Sequence, residues 1–348
     1  MYRCAATILF FLTSSLFGAA QSSPPLLTTR MHGYLNNLEY FKEYMEGELL
    51  LGTAGETKIT YTPHANITLE AGVYLRKRAG DDAFISHIAP ILSIAYTQGG
   101  YTATAGSFSS DHGIHEALYT PEQRYKEEYD EGLKLSWNIP EAFSGSIWAV
   151  IKREHSPKYL ENLHVGTRLQ AFLQNTTLEG ALLWNHYGGQ QYSPEGQYMR
   201  DNITGNISAE QRVPLSGTFP HTLLIETTFL GSLATPNRRR IDPEYGMGGI
   251  LRCTGLFPAN IHASYQFYRG ENYQTWTGFP LYETDSPYHV LEIGRHRLLG
   301  EHISVSWGAR FDILDIDSGI ADYFDDTEHL VWFDISTTLV RPLKGLAP

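Results

Sequence analysis

Apolar and polar residues alternate with a period of two along most of the chain. Ile67, Leu69, Ala71, Val73 and Leu75 share one parity, with Thr68, Glu70, Gly72, Tyr74 and Arg76 on the other. The same holds where Leu163, Val165, Thr167 and Leu169 interleave with His164, Gly166, Arg168 and Gln170, and where Ile303, Val305, Trp307, Ala309 and Phe311 interleave with His302, Ser304, Ser306, Gly308, Arg310 and Asp312. This is the period of an extended strand whose two faces meet different surroundings. It predicts strands over 31–41, 49–62, 66–77, 84–97, 100–108, 128–138, 143–153, 163–174, 177–188, 201–212, 221–233, 244–254, 260–269, 287–297, 302–313 and 328–340. Each is near or above the ~9–11 residues that a tilted strand needs to cross a bilayer. Soluble strands average only about five or six.

The connections sort into two kinds. Short ones fall at 63–65, 98–99, 139–142, 175–176, 213–220, 254–259 and 298–301, and longer ones lie between them at 42–48, 77–83, 108–127, 155–162, 187–199, 233–243, 269–287 and 314–327. Short turns at one end and long loops at the other mark a bacterial outer-membrane barrel. The expected fold is therefore all-β, a transmembrane antiparallel β-barrel of about 16 strands, with 14 or 18 as the neighbouring counts. An even count puts both termini on the periplasmic side, and this width leaves room for an aqueous lumen. A secreted carbohydrate-binding β-sandwich also alternates, but has no reason to sort its loops or to keep its strands long.

The N-terminus fits export. Arg3 supplies a positive start, Ala5–Leu16 an apolar run, and Gly18-Ala19-Ala20 small residues for cleavage after Ala20. Residues 1–20 are read as a signal peptide and 21–348 as one barrel domain. Composition agrees: 18% charged, 13% aromatic, 32 Gly and 22 Tyr among 348 residues favour strands, turns and interfacial rings. A net charge of −12 argues against nucleic acid as a partner. Cys4 lies in the leader and Cys253 stands alone, so the mature chain has no disulfide to form.

With its leader, dyad strands and terminal aromatic strand Leu330–Val340, the chain resembles bacterial porin-like outer-membrane proteins. Asn37-Leu38-Glu39-Tyr40-Phe41, followed by Leu50-Leu51-Gly52-Thr53, looks like the start of some of them. Where such barrels commonly end on an aromatic residue, this chain continues through Arg341-Pro342-Leu343 to Pro348. The resemblance implies residence in the outer membrane among lipid and lipopolysaccharide, and delivery by the barrel-insertion machinery. It also implies passive passage of a small hydrophilic solute, with a homotrimer as the assembly common at this width.

Lysine or arginine turned toward lipid costs about 2–4 kcal/mol at the midplane. That directs Arg76, Lys134, Lys152, Arg168, Arg252 and Arg310 into the lumen, with Glu70, Glu179 and Asp312 beside them. His164, His262 and His302 fall on the same polar parity. A lumen of mixed charge selects small hydrated solutes; for any single residue, a paired structural charge is the plainer role. The long connection 108–127 carries Asp111, His112, His115, Glu116, Tyr119 and Arg124, and is either a constriction folded into the pore or a lid over its mouth. His112 and His115 have a ligand-like spacing but no further donors, so no metal is expected there. The Asp-rich connection 314–327 reads as a solvated acidic loop ahead of a cation site. Arg238-Arg239-Arg240 reads equally as a solvated turn and as a site for anions or lipid phosphates. Asn66, Asn175, Asn202 and Asn206 match a glycosylation pattern but are read as turn residues.

No Gly-x-Ser-x-Gly elbow or His-Glu-x-x-His motif is present. His302, Ser304 and Asp312 share a face, as residues of any polar lumen do. The expectation is a channel without enzymatic activity or cofactor. The alternatives are a barrel enzyme acting on lipid or peptide, and a polysaccharide-export barrel.

Overall fold

A computed structural model describes residues 24–39, 47–121, 127–154, 159–188, 198–216, 219–238, 242–314 and 327–343. They form one closed antiparallel barrel of 16 strands, each paired with its neighbours in sequence. The strands are β1 (Leu26–Glu39), β2 (Glu48–His64), β3 (Ile67–Arg78), β4 (His87–Gln98), β5 (Tyr101–Ser109), β6 (Tyr129–Ile139), β7 (Phe143–Arg153) and β8 (Glu161–Leu173). They continue with β9 (Thr176–Gly188), β10 (Arg200–Pro214), β11 (Thr222–Thr235), β12 (Glu244–Phe257), β13 (Ile261–Glu271), β14 (Tyr288–Leu299), β15 (Ile303–Leu314) and β16 (Thr327–Pro342). Each predicted segment corresponds to one strand. The leader lies outside the described residues.

The largest differences in extent are at the seam. β1 begins five residues before the alternating pattern does, because β16 supplies partners from Leu26↔Pro342 to Glu39↔His329 and β2 from Leu26↔Thr60 onward. Pairing, rather than alternation, makes Leu26–Arg30 extended. The same register takes Arg341 and Pro342, residues beyond the expected last strand, into the wall.

The two parities separate as a membrane requires. Ile207 is 71% exposed, Phe229 67% and Leu133 63%, whereas their neighbours Asn206, Thr228 and Ser208 are buried inside. So large an apolar surface is untenable in water and is what hydrocarbon demands. Among the described residues no helix is long and apolar enough to cross a membrane, and the strands do the crossing.

The lumen is not an open water column. Two long connections, described over 110–121 and 272–287, fold inward and bind each other. Thr120 N–H donates to Thr277 O and Phe279 N–H to Glu116 O, both at 2.8 Å; Tyr273 Oη donates to Ala117 O at 3.0 Å. A Cβ on Gly278 would collide with the Ala117 carbonyl oxygen, so glycine permits the close approach. Leu118, Tyr273, Phe279, Leu281 and Tyr282 then pack against wall residues as far apart as Leu38 of β1, Ala181 of β9 and Ile250 of β12. The expected aqueous lumen is filled at this level.

Candidate functional site

The inward loop begins where β5, the shortest strand, stops at Ser109. Three residues on, the His112 ring lies flat on Trp148 of β7, with centroids 4.1 Å apart and planes 12° from parallel. Trp148 itself lies over Gly166 of β8, where any Cβ would strike the indole. Phe108 and Tyr119 close the other sides of the imidazole.

Beneath the ring, Asp130 of β6 meets His112 Nε2 at 2.8 Å, and both side chains are almost wholly buried. Lys152 of β7 donates to the other Asp130 oxygen at 2.5 Å, to Glu127 at 2.9 Å and to Tyr119 Oη at 3.2 Å. This cation offsets the buried carboxylate, without which the aspartate would be costly. Asp130 can only accept, so Nε2 carries the ring proton and Nδ1 is left with a lone pair. Burial pushes the His112 pKa below its ordinary value, against the pull of the Asp130 hydrogen bond.

His112 Nδ1 and Ser110 Oγ are both buried, and neither has a hydrogen-bond partner among the described residues. Both residues line a cavity of about 180 Å³ with Asp111, Gly113, Ile114, Tyr119, Thr120 and Pro121. Asp111, Gly113 and Pro121 of its lining are exposed. Unpaired buried polar atoms cost free energy, and a catalytic role is one reason for a protein to keep them. An imidazole and a hydroxyl thus border one small cavity, with the carboxylate that holds the imidazole buried outside its lining.

A second charged group pins the loop pair. Glu116 accepts from Arg310 Nη1 at 2.9 and 3.0 Å and from Tyr282 Oη at 2.6 Å, with Arg252 Nη2 at 3.6 Å. Arg310 also grips Asp312 at 2.9 Å. Burial raises the Glu116 pKa, but Arg310, Arg252 and His115 outweigh it and hold the carboxyl at about 2. Burial pushes its neighbour His115, edge-on to Tyr282, down to about 4.

The residues singled out from sequence are distributed around this arrangement. Lys152 and Tyr119 belong to the His112 cluster. Lys134 lies 5.6 Å from the Phe108 ring, and His164 is buried on β8 with no partner for Nε2 among the described residues. Glu116, Arg310, Asp312 and Arg252 form the anchor. Lower in the barrel Glu70 pairs with Lys58 at 3.1 Å, Arg168 with Glu179 at 2.8 Å and His262 with Glu292 at 3.1 Å, while Arg76 lies on the inward parity of β3. His302 is not on a strand: it sits exposed in the turn before β15, its carbonyl accepting from Thr338. Asp111 is exposed and accepts from the Gly113 N–H at 2.9 Å. Arg124 and the acidic residues of 315–326 lie outside the described residues. His112 and His115 face different partners rather than a shared point. Asn66 and Asn175 occupy turns, but Asn202 and Asn206 are buried lumen residues of β10, which corrects their reading as turn residues.

Asp130, Ser110 and Trp148 were not singled out from sequence, nor was the loop 272–287. The available signals were weak: Asp130 shares the polar parity of Lys134, and 273–288 is rich in Tyr and Trp.

Comparison with known proteins shows the family and the fold. A family model described as Lipid A 3'-O-deacylase-type matches residues 19–307. No curated protein matches the sequence. Among solved structures, a loop L8 deletion mutant of OmpT, an outer membrane protein of Vibrio cholerae, is similar with a TM-score of 0.58 at 10% identity, covering 91% of this chain and 99% of that one. An anion-selective porin from Comamonas acidovorans is similar with a TM-score of 0.58 at 9% identity, covering 92% and 100%. Salmonella typhi OmpF in complex with daunomycin gives 0.51 at 10% identity, covering 90% and 97%. At these identities the likeness is one of fold. It identifies an outer-membrane barrel located in the bacterial outer membrane. The family match corrects the expectation of a chain without enzymatic activity, because the matched family is one of enzymes.

Proposed function

Because the chain belongs to the Lipid A 3'-O-deacylase-type family, we propose that it hydrolyses an acyl ester of a lipid A-type glycolipid in the outer membrane, with His112 as the base. The observation that carries this reading is the buried His112–Asp130 pair, 2.8 Å apart, whose unpartnered Nδ1 belongs to a residue lining a cavity with Ser110. Ester hydrolysis needs a group that takes a proton from the attacking oxygen as it bonds to the carbonyl carbon. His112 Nδ1 takes that proton from a water molecule, whose oxygen bonds to the carbonyl carbon and stays with the released acyl group; Ser110 Oγ borders the same cavity. The imidazolium so formed is held by Asp130, whose carboxylate stays ionised beside Lys152. The same proton then passes to the leaving alkoxide, which departs as the glycolipid hydroxyl while the acyl group leaves as a fatty acid. Loops filling the lumen suit an enclosed reaction site better than bulk solute flow.

The test is fatty-acid release from lipid A in mixed micelles by the purified full-length barrel. Wild type is expected to release fatty acid, and His112→Gln to release none above background. Equal release by both proteins, or none by wild type, overturns the reading.

A further inference from the structure

The outer wall beside this site carries a groove that the hydrolytic chemistry does not use. One register row crosses five strands as Ile94↔Ala105↔Leu133↔Ala149↔Val165. Alanines alternate there with larger side chains, and the row lines an almost wholly apolar groove of about 590 Å³. The groove overlies the least extensive seam of the barrel, because β4 pairs with β5 only over Ser93–Gln98. Above it β4 carries Pro90, which has no N–H to offer, and Ser107 Oγ substitutes as the acceptor for Leu92 N–H.

The same row continues from Val165 to Trp184 of β9 and Ile203 of β10. One step toward the extracellular end, a polar cluster stands on the lipid-facing parity. Asp201 meets His186 Nδ1 at 2.7 Å, and accepts from Trp184 Nε1 at 2.9 Å and from Arg238. Its outward direction is fixed by its neighbours: Asn185 donates inward to Thr277, and Asn202 to Gln274 O. Such groups are costly at the bilayer centre but cost only about 0–1 kcal/mol near its surface. The Arg238 side chain is 47% exposed, and beyond the Nε contact with Asp201 its N–H groups meet no acceptor among the described residues.

We propose that this wall binds one phosphorylated glycolipid of the outer leaflet, an acyl chain lying in the β4–β8 groove and a phosphate at Arg238 and His186. The arrangement complements an anionic amphiphile: an apolar channel leads along one register row to a cation and an imidazole at the extracellular end. Trp184 sits at the junction, where an amphipathic ring is favoured. Trp148 and Lys134, which also line the groove, contact the His112 cluster from within, so the bound lipid lies against the wall of the proposed hydrolytic site. This deepens the hydrolase reading, on which it rests for the choice of a glycolipid over a phospholipid.

Native mass spectrometry of the delipidated full-length barrel, titrated separately with lipid A and with phosphatidylglycerol, tests the site. Wild type is expected to bind one lipid A about tenfold more tightly than phosphatidylglycerol. Ala105→Trp, which fills the groove, and Arg238→Gln, which removes the cation, should each weaken lipid A binding about tenfold. Ile207→Trp, lipid-facing but away from the groove, should bind as wild type does. Equal affinity for the two lipids, or wild-type affinity in Ala105→Trp, overturns the proposal. If the expected binding pattern is found but wild type releases no fatty acid, the lipid site stands and the hydrolase reading alone fails.

Discussion

Asp130→Asn probes the base most sharply, because it changes two atoms' chemistry and almost no volume. In the wild type Asp130 accepts from His112 Nε2 at 2.8 Å and from Lys152 at 2.5 Å. Lys152 has only donors, so it must claim the one carbonyl oxygen of the introduced amide. The amide NH2 then faces Nε2 and donates to it, which drives the ring proton to Nδ1 and removes the lone pair from the atom proposed as the base. In a Ser-His-Asp hydrolase the corresponding tautomer error costs about 10⁴ in kcat. Here the expected loss in kcat is about 10³–10⁴-fold, or roughly 4–5.5 kcal/mol of barrier. KM should stay nearly constant, because Asp130 does not line the cavity. Glu127 and Tyr119 remain as partners for Lys152, so the barrel should keep its heat-dependent gel mobility. Adding Lys152→Met frees the amide carbonyl to turn toward Nε2 and should recover at least about tenfold in kcat. The assay is steady-state fatty-acid release. Asp130→Asn activity within about threefold of wild type would refute the tautomer argument.

Other outcomes follow from the same contacts. Burial lowers the His112 pKa, and protonation would occupy the base. The acid limb of the kcat/KM profile should therefore lie below the ordinary histidine value of 6.5, and a limb at or above it would contradict the assignment. Gly278→Val should force the loops apart against the Ala117 carbonyl and raise single-molecule conductance in planar bilayers well above wild type; unchanged conductance would show that this contact does not close the lumen. Glu116→Gln removes the carboxylate holding Arg310 and should destabilise the barrel by about 3 kcal/mol in urea unfolding, the low end for a broken buried pair because Asp312 remains. His115 is neutral when buried, its folded pKa depressed to about 4. Its contribution to stability is present above 6.5 and is lost as pH falls from there through 4, so protease cleavage within 110–128 should increase over that window.

The barrel was legible because it is written locally. A lipid wall and a polar lumen impose the same period of two on every strand, and turn length reports which end faces outward. Even the strand count follows from those two signals. The extra length of β1 does not, since Leu26–Arg30 owe their conformation to pairing with β2 on one side and with the distant β16 on the other. The site was less legible still. An inward and an outward loop have the same polar composition, and the decisive contacts join 110–121 to 272–287 and to Asp130, Trp148 and Arg310. The sequence groups Asp111, His112, His115, Glu116, Tyr119 and Arg124 on one connection without separating their roles: Glu116 is an anchor, His115 packs on Tyr282, and the carboxylate-paired histidine is His112. Its pairing with Asp130 spans the whole connection, so no spacing in the sequence announces it. Membership of an enzyme family has no contiguous motif to announce it in this sequence.

The most direct measurement is the mass of lipid A after incubation with the purified barrel. The account predicts that wild type shifts the spectrum by the loss of one ester-linked acyl chain, and that His112→Gln leaves it unchanged. An unchanged spectrum with wild type, or the same shift with His112→Gln, would contradict it.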